Sequence, residues 1–86
     1  MHEFSLMAGL LKKIESVAIQ QKARKVVGVS IKLGALSNIS AGHFREHFEE
    51  AAKNSIADGA TLEIEESGDT YADDAQDILI KDIEVI

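Results

Sequence analysis

Residues 27–34 read VGVSIKLG, and this stretch organises the rest of the chain. Apolar Val27, Val29, Ile31 and Leu33 alternate with Gly28, Ser30 and Lys32. Alternation with a period of two is typical of a β-strand that buries one face. Gly34 follows the last apolar residue and ends the pattern. We therefore predict a strand over residues 27–33 and place the other elements around it.

Helical periodicity lies on both sides of this strand. Before it, the apolar residues recur at helical spacing and predict an amphipathic helix over residues 4–22: Phe4, Met7, Leu11, Ile14 and Ala18. The basic residues Lys22, Arg24 and Lys25 then fall at its C-terminal end, where cations suit the helix dipole.

After the strand, Ser40 is the expected N-cap of a second helix over about residues 41–54. Phe44, Phe48 and either Ala51 or Ala52 face inward in that helix. We expect Phe4, Phe44 and Phe48 to be core residues.

The C-terminal third of the chain predicts two more strands separated by an acidic loop. Ala60, Leu62 and Ile64 alternate with polar residues, which indicates a second strand. Residues 66–77, ESGDTYADDAQD, are polar and have no period, so they predict a loop. In the final stretch, ILIKDIEVI, Ile83 and Val85 are one residue out of phase with Ile78 and Ile80. A β-bulge near Lys81 and Asp82 would return all four to one face.

The element order is helix, strand, helix, strand, strand. Two apolar helix stripes and one apolar sheet face predict the α+β class, a two-layer sandwich with both helices on one face of a three-stranded sheet. The strand–helix–strand step predicts that the first two strands run parallel through a right-handed crossover. The 86 residues suffice for one domain, residues 1–86.

Composition excludes several classes of protein. Without cysteine the chain has no disulfide, thiolate zinc site or catalytic thiol, and a reducing cytoplasm suits it best. No segment reads as a secretory signal or a membrane span. The chain has a net charge of −6, and residues 54–86 carry ten acidic residues and a single basic one, Lys81. This acidic half argues against nucleic-acid binding, which needs a basic surface. The exposed sheet edge leaves a monomer and a homodimer both open.

The first three residues, MHE, are a candidate metal site. The amine of Met1, the amide nitrogen of residue 2 and Nδ1 of His2 can together form fused chelate rings on one ion. Planar nitrogen ligation of this kind suits Ni(II) or Cu(II). Glu3 could supply a further ligand. By itself, however, a histidine at position 2 is most often an incidental surface residue.

A second, weaker candidate is the pair His43 and His47, which stand at i and i+4 and share one helix face. Glu46 or Glu50 could add an oxygen ligand, since a zinc site needs a third or fourth ligand. The alternative is a half-exposed pair beside the two phenylalanines.

The acidic residues Asp69, Asp73, Asp74 and Asp77 could attract a hard cation, but their spacing does not match an EF-hand loop, so a solvated loop is the expected interpretation. No nucleophile stands with a base in a catalytic pattern, and we expect no enzyme activity.

Read in order, MHEFSLMAGLLKKIE, VVGVSIKLGALSNIS, FREHFEEAAKNSIADGATLEIEE and ILIKDIEV resemble the HypA/HybF family of nickel metallochaperones. The resemblance covers about residues 1–66 and 77–86. It implies nickel held by Met1, His2 and Glu3 in a domain of two helices on a three-stranded sheet. It also implies, as partners, a HypB-type GTPase and the precursor of the [NiFe]-hydrogenase large subunit, with urease maturation served in some relatives.

The chain departs from this family between its last two strands. Family members carry a zinc ribbon with two CxxC pairs there, whereas this chain has the loop 66–77 and no cysteine. The sequence thus predicts a nickel-binding, zinc-less short form, single-domain and cytoplasmic. The alternative is an interaction module that keeps the fold, binds a maturation GTPase or another protein, and carries no metal.

Overall fold

The computed structural model describes the backbone of residues 3–86 and the side chains of residues 6–86. The elements follow the predicted order: helix α1 (Glu3–Gln20), strand β1 (Val26–Leu33), helix α2 (Ala41–Ala52), strand β2 (Thr61–Glu66) and strand β3 (Ile78–Val85). The predicted core residue Phe4 and the residues Met1 and His2 lie outside the described side chains. Neither helix of the described chain combines the length and the apolarity needed to cross a bilayer.

The sheet has the strand order β2-β1-β3. Strand β1 pairs with β2 in parallel, from Gly28 opposite Thr61 to Leu33 opposite Glu66. On its other side β1 pairs with β3 in antiparallel fashion. The parallel pairing of the first two strands and the α+β class are both confirmed.

The core lies between one face of the sheet and the two helices. Helix α1 contributes its predicted stripe, in which Met7 and Ile14 are at most 1% exposed. In α2, Phe44 and Phe48 are buried with ring centroids 6.3 Å apart. Burying an aromatic ring in a small domain removes a large apolar area from water, and these two rings anchor α2 to the core.

Both helices end slightly earlier than their periodicity predicts. In α1 the N–H of Ala23 bonds to Ala18 O and that of Lys22 to Ile19 O, while Lys22 has φ 55°. These are the two bonds of a Schellman motif, which closes a helix with one left-handed residue, usually glycine. The sequence does not indicate this helix end, because the left-handed position holds Lys22 instead of the usual glycine. The cluster Lys22, Arg24 and Lys25 therefore lies beyond the helix and not in its last turn.

At the start of α2, Ser40 is the N-cap, as predicted. Its Oγ accepts a hydrogen bond from the N–H of His43 at 3.2 Å. This bond satisfies one of the N–H groups that every helix leaves without an intrahelical acceptor. Helix α2 ends at Ala52, and Asn54 then turns the chain with φ 65°.

The two bulges of the sheet decide which residues face the core. In β3 the pairing passes from Asp82 opposite Ser30 to Ile80 opposite Ile31, so Lys81 is the extra residue and the predicted bulge is confirmed. In β1 the pairing passes from Val26 to Gly28 and skips Val27. Val26 is therefore fully buried and Val27 only half-buried. The predicted inward position of Val27 is wrong, because this bulge shifts the phase of β1.

The acidic loop begins one residue later than predicted, because Glu66 is the last residue of β2, and residues 67–77 are anchored to the end of β1. The N–H of Gly34 donates to Asp77 O at 2.9 Å, and that of Leu36 donates to Ala75 O at 2.7 Å. Ala75 is 4% exposed. A Cβ atom added at Gly34 would clash with the backbone of Ala75, because it would lie far inside contact distance of Ala75 O. The loop prediction is correct, but its second half is packed rather than fully solvated.

Candidate metal sites and the comparisons

The N-terminal candidate lies at the start of α1, which begins at Glu3. Met1 and His2 precede the described residues, and the side chain of Glu3 also lies outside the described side chains. Met7, one turn further along, is buried and Leu6 is half-buried. Helix α1 therefore packs on the core from Leu6 and Met7 onward.

The direction of α1 follows from its length. Its 18 residues span about 27 Å at the α-helical rise, and the 8 residues of β1 span about 26 Å. The molecule measures 38 × 21 × 19 Å, so both elements lie along its long axis. Because only residues 21–25 join them, they run in opposite directions. The start of α1 therefore lies toward the end of the sheet where β1 stops and the acidic loop is anchored.

The histidine pair on α2 is brought together as its spacing predicts. The ring centroids of His43 and His47 are 5.9 Å apart with the planes tilted by 55°. His43 is exposed and His47 half-buried. Glu50 Oε2, one of the suggested additional ligands, instead lies 3.2 Å from Lys53 Nζ. Within the described residues, no three side chains of His, Asp or Glu stand together as a set of metal ligands.

The acidic residues of the loop make separate contacts. Asp69 Oδ1 accepts a hydrogen bond from the N–H of Tyr71 at 3.0 Å, which stabilises a turn. Asp74 lies 3.8 Å from Lys32 Nζ, at the end of β1. These carboxylates act one at a time, in turn formation and loop anchoring.

The sheet face opposite the helices carries an ion pair that sequence reasoning missed. Lys81 Nζ donates to Glu65 Oε1 at 2.8 Å, across the width of β1. This hydrogen bond and, after it, the charge of Lys81 hold the pKa of Glu65 below its ordinary value. Desolvation opposes them, and the charge of Lys32 adds the smallest effect, also lowering the pKa. The phase slip in β3 was the available signal, since it places Lys81 on this face.

Comparison with known proteins assigns the family. The sequence model described as "Hydrogenase/urease nickel incorporation, metallochaperone, hypA" matches residues 1–84. The chain therefore belongs to the HypA family, and the resemblance seen in the sequence is confirmed. The family description names metallochaperones rather than enzymes.

The chain is similar to curated proteins named hydrogenase maturation factor HypA. The one from Nitrosospira multiformis is 35% identical over 65 residues, which cover 76% of this chain and 56% of that relative. The one from Klebsiella pneumoniae is 36% identical over 77 residues, covering 88% of this chain and 68% of the relative. The chain thus spans little more than half the length of the first of these.

Solved structures confirm the fold. The solution structure of the Ni metallochaperone HypA from Helicobacter pylori superposes with a TM-score of 0.84 at 19% identity, covering 100% of this chain and 98% of that chain. A second solution structure, of a HypA protein, gives a TM-score of 0.77 at 18% identity, covering 100% of this chain and 97% of that one.

Proposed function

We propose that this chain binds Ni(II) at residues 1–3 and delivers it during the maturation of [NiFe]-hydrogenase. The observation that carries the proposal is the extent of the family match. It runs over residues 1–84, and so includes the MHE terminus together with all of the two-layer fold except the last residue of β3. The family description, nickel incorporation, supports nickel as the cargo.

The ligand chemistry suits this ion. The amine of Met1, the amide nitrogen of residue 2 and the imidazole Nδ1 of His2 supply three nitrogens in two fused chelate rings. Ni(II) accepts such a planar nitrogen set readily. Glu3 is a neighbouring carboxylate that completes or supports the site. Amine and amide must both lose protons, so the affinity rises with pH.

The beginning of α1 both helps and opposes this site. The first N–H groups of a helix have no intrahelical acceptor, so deprotonating an amide there breaks no helix hydrogen bond. A cation near the positive end of the helix dipole is repelled, and the charge of Glu3 together with that of the deprotonated amide offsets the repulsion. An open site of this kind exchanges ligands easily, which suits delivery.

The partners we propose are a HypB-type GTPase and the precursor of the hydrogenase large subunit, with urease as a further client class. The family description and the names of the relatives support maturation machinery of this type. We propose residues 1–86 as a single nickel-binding domain, with the loop 66–77 at the position where the family resemblance implies a zinc ribbon. The cysteine-free composition supports a cytoplasmic location and no structural zinc in this chain.

Isothermal titration of Ni(II) into the untagged protein tests the proposal. His2→Ala removes the imidazole and is expected to abolish binding. The double variant His43→Ala/His47→Ala is the matched control, because it removes two imidazoles from α2, and it should bind as the wild type does. Binding unchanged in His2→Ala would refute the N-terminal site, and loss in the double variant alone would place the metal on α2.

The interaction module without metal is the outcome to separate from this proposal. It predicts no Ni(II) binding by the wild type and an intact contact with a HypB-type GTPase in His2→Ala. A pull-down of that GTPase by wild type and His2→Ala, run beside the titration, distinguishes the two functions.

A further inference from the structure

Strand β3 forms one edge of the sheet, and no strand of the described residues 3–86 pairs with its outer side. The residues just before and just after β3 turn their backbone groups toward the β1 side. The N–H of Gly34 donates to Asp77 O, and Lys25 and Ile86 each donate an N–H to the other's carbonyl oxygen. In an antiparallel pair, alternate residues turn their N–H and C=O groups to the partner. We therefore alternate inward and outward residues from Asp77 forward and from Ile86 backward, and leave out Lys81 as the extra residue of the bulge. The residues whose N–H and C=O groups point away from β1 are then Ile78, Ile80, Ile83 and Val85.

The same four residues are incompletely covered on the helix side. Each is half-buried, whereas Val26, Val29, Ile31 and Leu33 of the central strand are at most 2% exposed. A groove runs between α1 and β3, lined by Lys13, Val17, Ile80, Lys81, Asp82 and Ile83. An unpaired backbone edge therefore lies beside an open groove that includes the apolar residues Val17, Ile80 and Ile83.

Because of the bulge, β3 can pair with an antiparallel copy of itself so that apolar residues face apolar residues. Around the midpoint between Lys81 and Asp82, an antiparallel copy places Ile80 opposite Ile83 and Ile78 opposite Val85. Paired residues must share a face of the sheet. In a regular strand, residues an odd number apart lie on opposite faces, so this register would fail. The extra residue Lys81 restores the phase, and the described strand holds Ile80 and Ile83 on the same side.

The central charges fit the same arrangement. A charged residue on an edge strand usually discourages pairing with another chain. Here the register brings the positive charge of Lys81, which also bonds Glu65 Oε1 across β1, opposite Asp82 of the other copy, twice, around the midpoint. A parallel arrangement in register would place lysine against lysine, and opposite charges across strands stabilise whereas like charges destabilise. The strand therefore favours the antiparallel self-pairing over the parallel one.

We propose that the outer edge of β3 pairs with β3 of a second copy of this chain, forming a twofold dimer with a continuous six-stranded sheet. The axis passes between Lys81 and Asp82, perpendicular to the sheet. The α1–β3 grooves of the two copies then meet on one side, and Ile80 and Ile83 lose their remaining contact with water. This assembly is independent of the nickel site.

Oligomeric state tests the surface. Sedimentation of the wild type over a range of concentrations should show a reversible monomer–dimer equilibrium. Asp82→Lys places like charges at the axis and should weaken the dimer by roughly tenfold or more. Asp73→Lys makes the same charge change in the exposed loop and should leave it unchanged. A wild type that is monomeric at every concentration, or a dimer that Asp82→Lys does not weaken, would overturn the proposal.

Disulfide trapping tests the register, because the chain has no cysteine of its own. The proposed register places Leu79 opposite Glu84 in a pair without mutual hydrogen bonds, about 4.5 Å apart between Cα atoms, within disulfide reach. Leu79→Cys mixed with Glu84→Cys should form a crosslinked heterodimer under mild oxidation. Leu79→Cys alone should not, because its two copies lie roughly 17 Å apart along the strands. Crosslinking that is no faster in the mixture than in either variant alone would overturn the proposal.

Discussion

Lys81 Nζ lies 2.8 Å from Glu65 Oε1, although the two residues belong to the two edge strands of the sheet. The contact passes over the central strand at Ser30 and Ile31, the two residues beside the bulge in the pairing with β3. The bulge sends the side chain of Lys81 to the face opposite the helices. One irregularity in β3 thus positions a cross-sheet ion pair and also produces the self-matching edge.

This ion pair predicts a specific titration. We expect the pKa of Glu65 to rise toward its ordinary value of 4.5 in Lys81→Met, because the hydrogen bond and the positive charge are both removed. The pKa of Glu65 is lower in the folded chain, so the pair stabilises the fold above the ordinary pKa, and this contribution is lost as the pH falls through the folded-state pKa. Carboxyl NMR titration of Glu65 measures the shift.

The matched control for this titration is Lys53→Met. It removes a lysine that pairs with Glu50 on α2, at a Nζ–Oε2 distance of 3.2 Å. The titration of Glu65 should be unaffected by it. If Lys53→Met shifts Glu65 as much as Lys81→Met does, the shift reflects net charge and not the contact across the sheet.

The packing of the acidic loop predicts opposite effects at two glycines. In Gly34→Ala the new methyl group meets the backbone of Asp74 and Ala75, so the loop must move, at a cost of about 1–3 kcal/mol in the free energy of unfolding. Gly9→Ala lies in the interior of α1 with open space around it and should stabilise by up to about 1 kcal/mol. Urea unfolding measures both changes. Equal effects at the two positions would contradict the packing of the loop on β1.

The N-cap of α2 predicts a third result. Ser40→Ala leaves the N–H of His43 without its acceptor and should lower the free energy of unfolding by about 1 kcal/mol. Ser40→Asp keeps an oxygen at the same position and should retain most of the stability. Thermal unfolding of the three proteins makes the comparison. A destabilisation in Ser40→Asp as large as that in Ser40→Ala would contradict the capping role.

Periodicity was sufficient for the architecture, because each buried stripe in this chain is nearly regular. It also located the bulge at Lys81, since an isoleucine pair on each side made the phase slip visible. The bulge at Val27 left no such trace: Val26 and Val27 are chemically identical, and either could point inward. The packing of Ala75 against Gly34 could not be predicted either. The acidic stretch has no apolar periodicity, so nothing in it marks Ala75 as a buried residue.

The candidate sites divide in the same way. Spacing alone placed His43 and His47 side by side, since i and i+4 always share a helix face. It could not supply a third ligand, which requires the tertiary structure. The MHE site is different again, since its proposed ligands are local to the chain and depend on the free amine of Met1 rather than on the fold.

That dependence provides the most direct test of the nickel site. Ni(II) affinity is measured by isothermal titration for the protein with a free amine at Met1 and for the same protein carrying a Gly-Ser-Gly extension ahead of Met1. Several residues are added because a single one would leave an amine close enough to His2 to build a new chelate with two backbone amides. The same extension on His2→Ala is the control and should change nothing further.

We expect the extension to lower the Ni(II) affinity by at least roughly 10–100-fold, which is what the loss of even a supporting interaction costs a metal site. Equal affinity with and without the extension would contradict nickel binding at the amine of Met1.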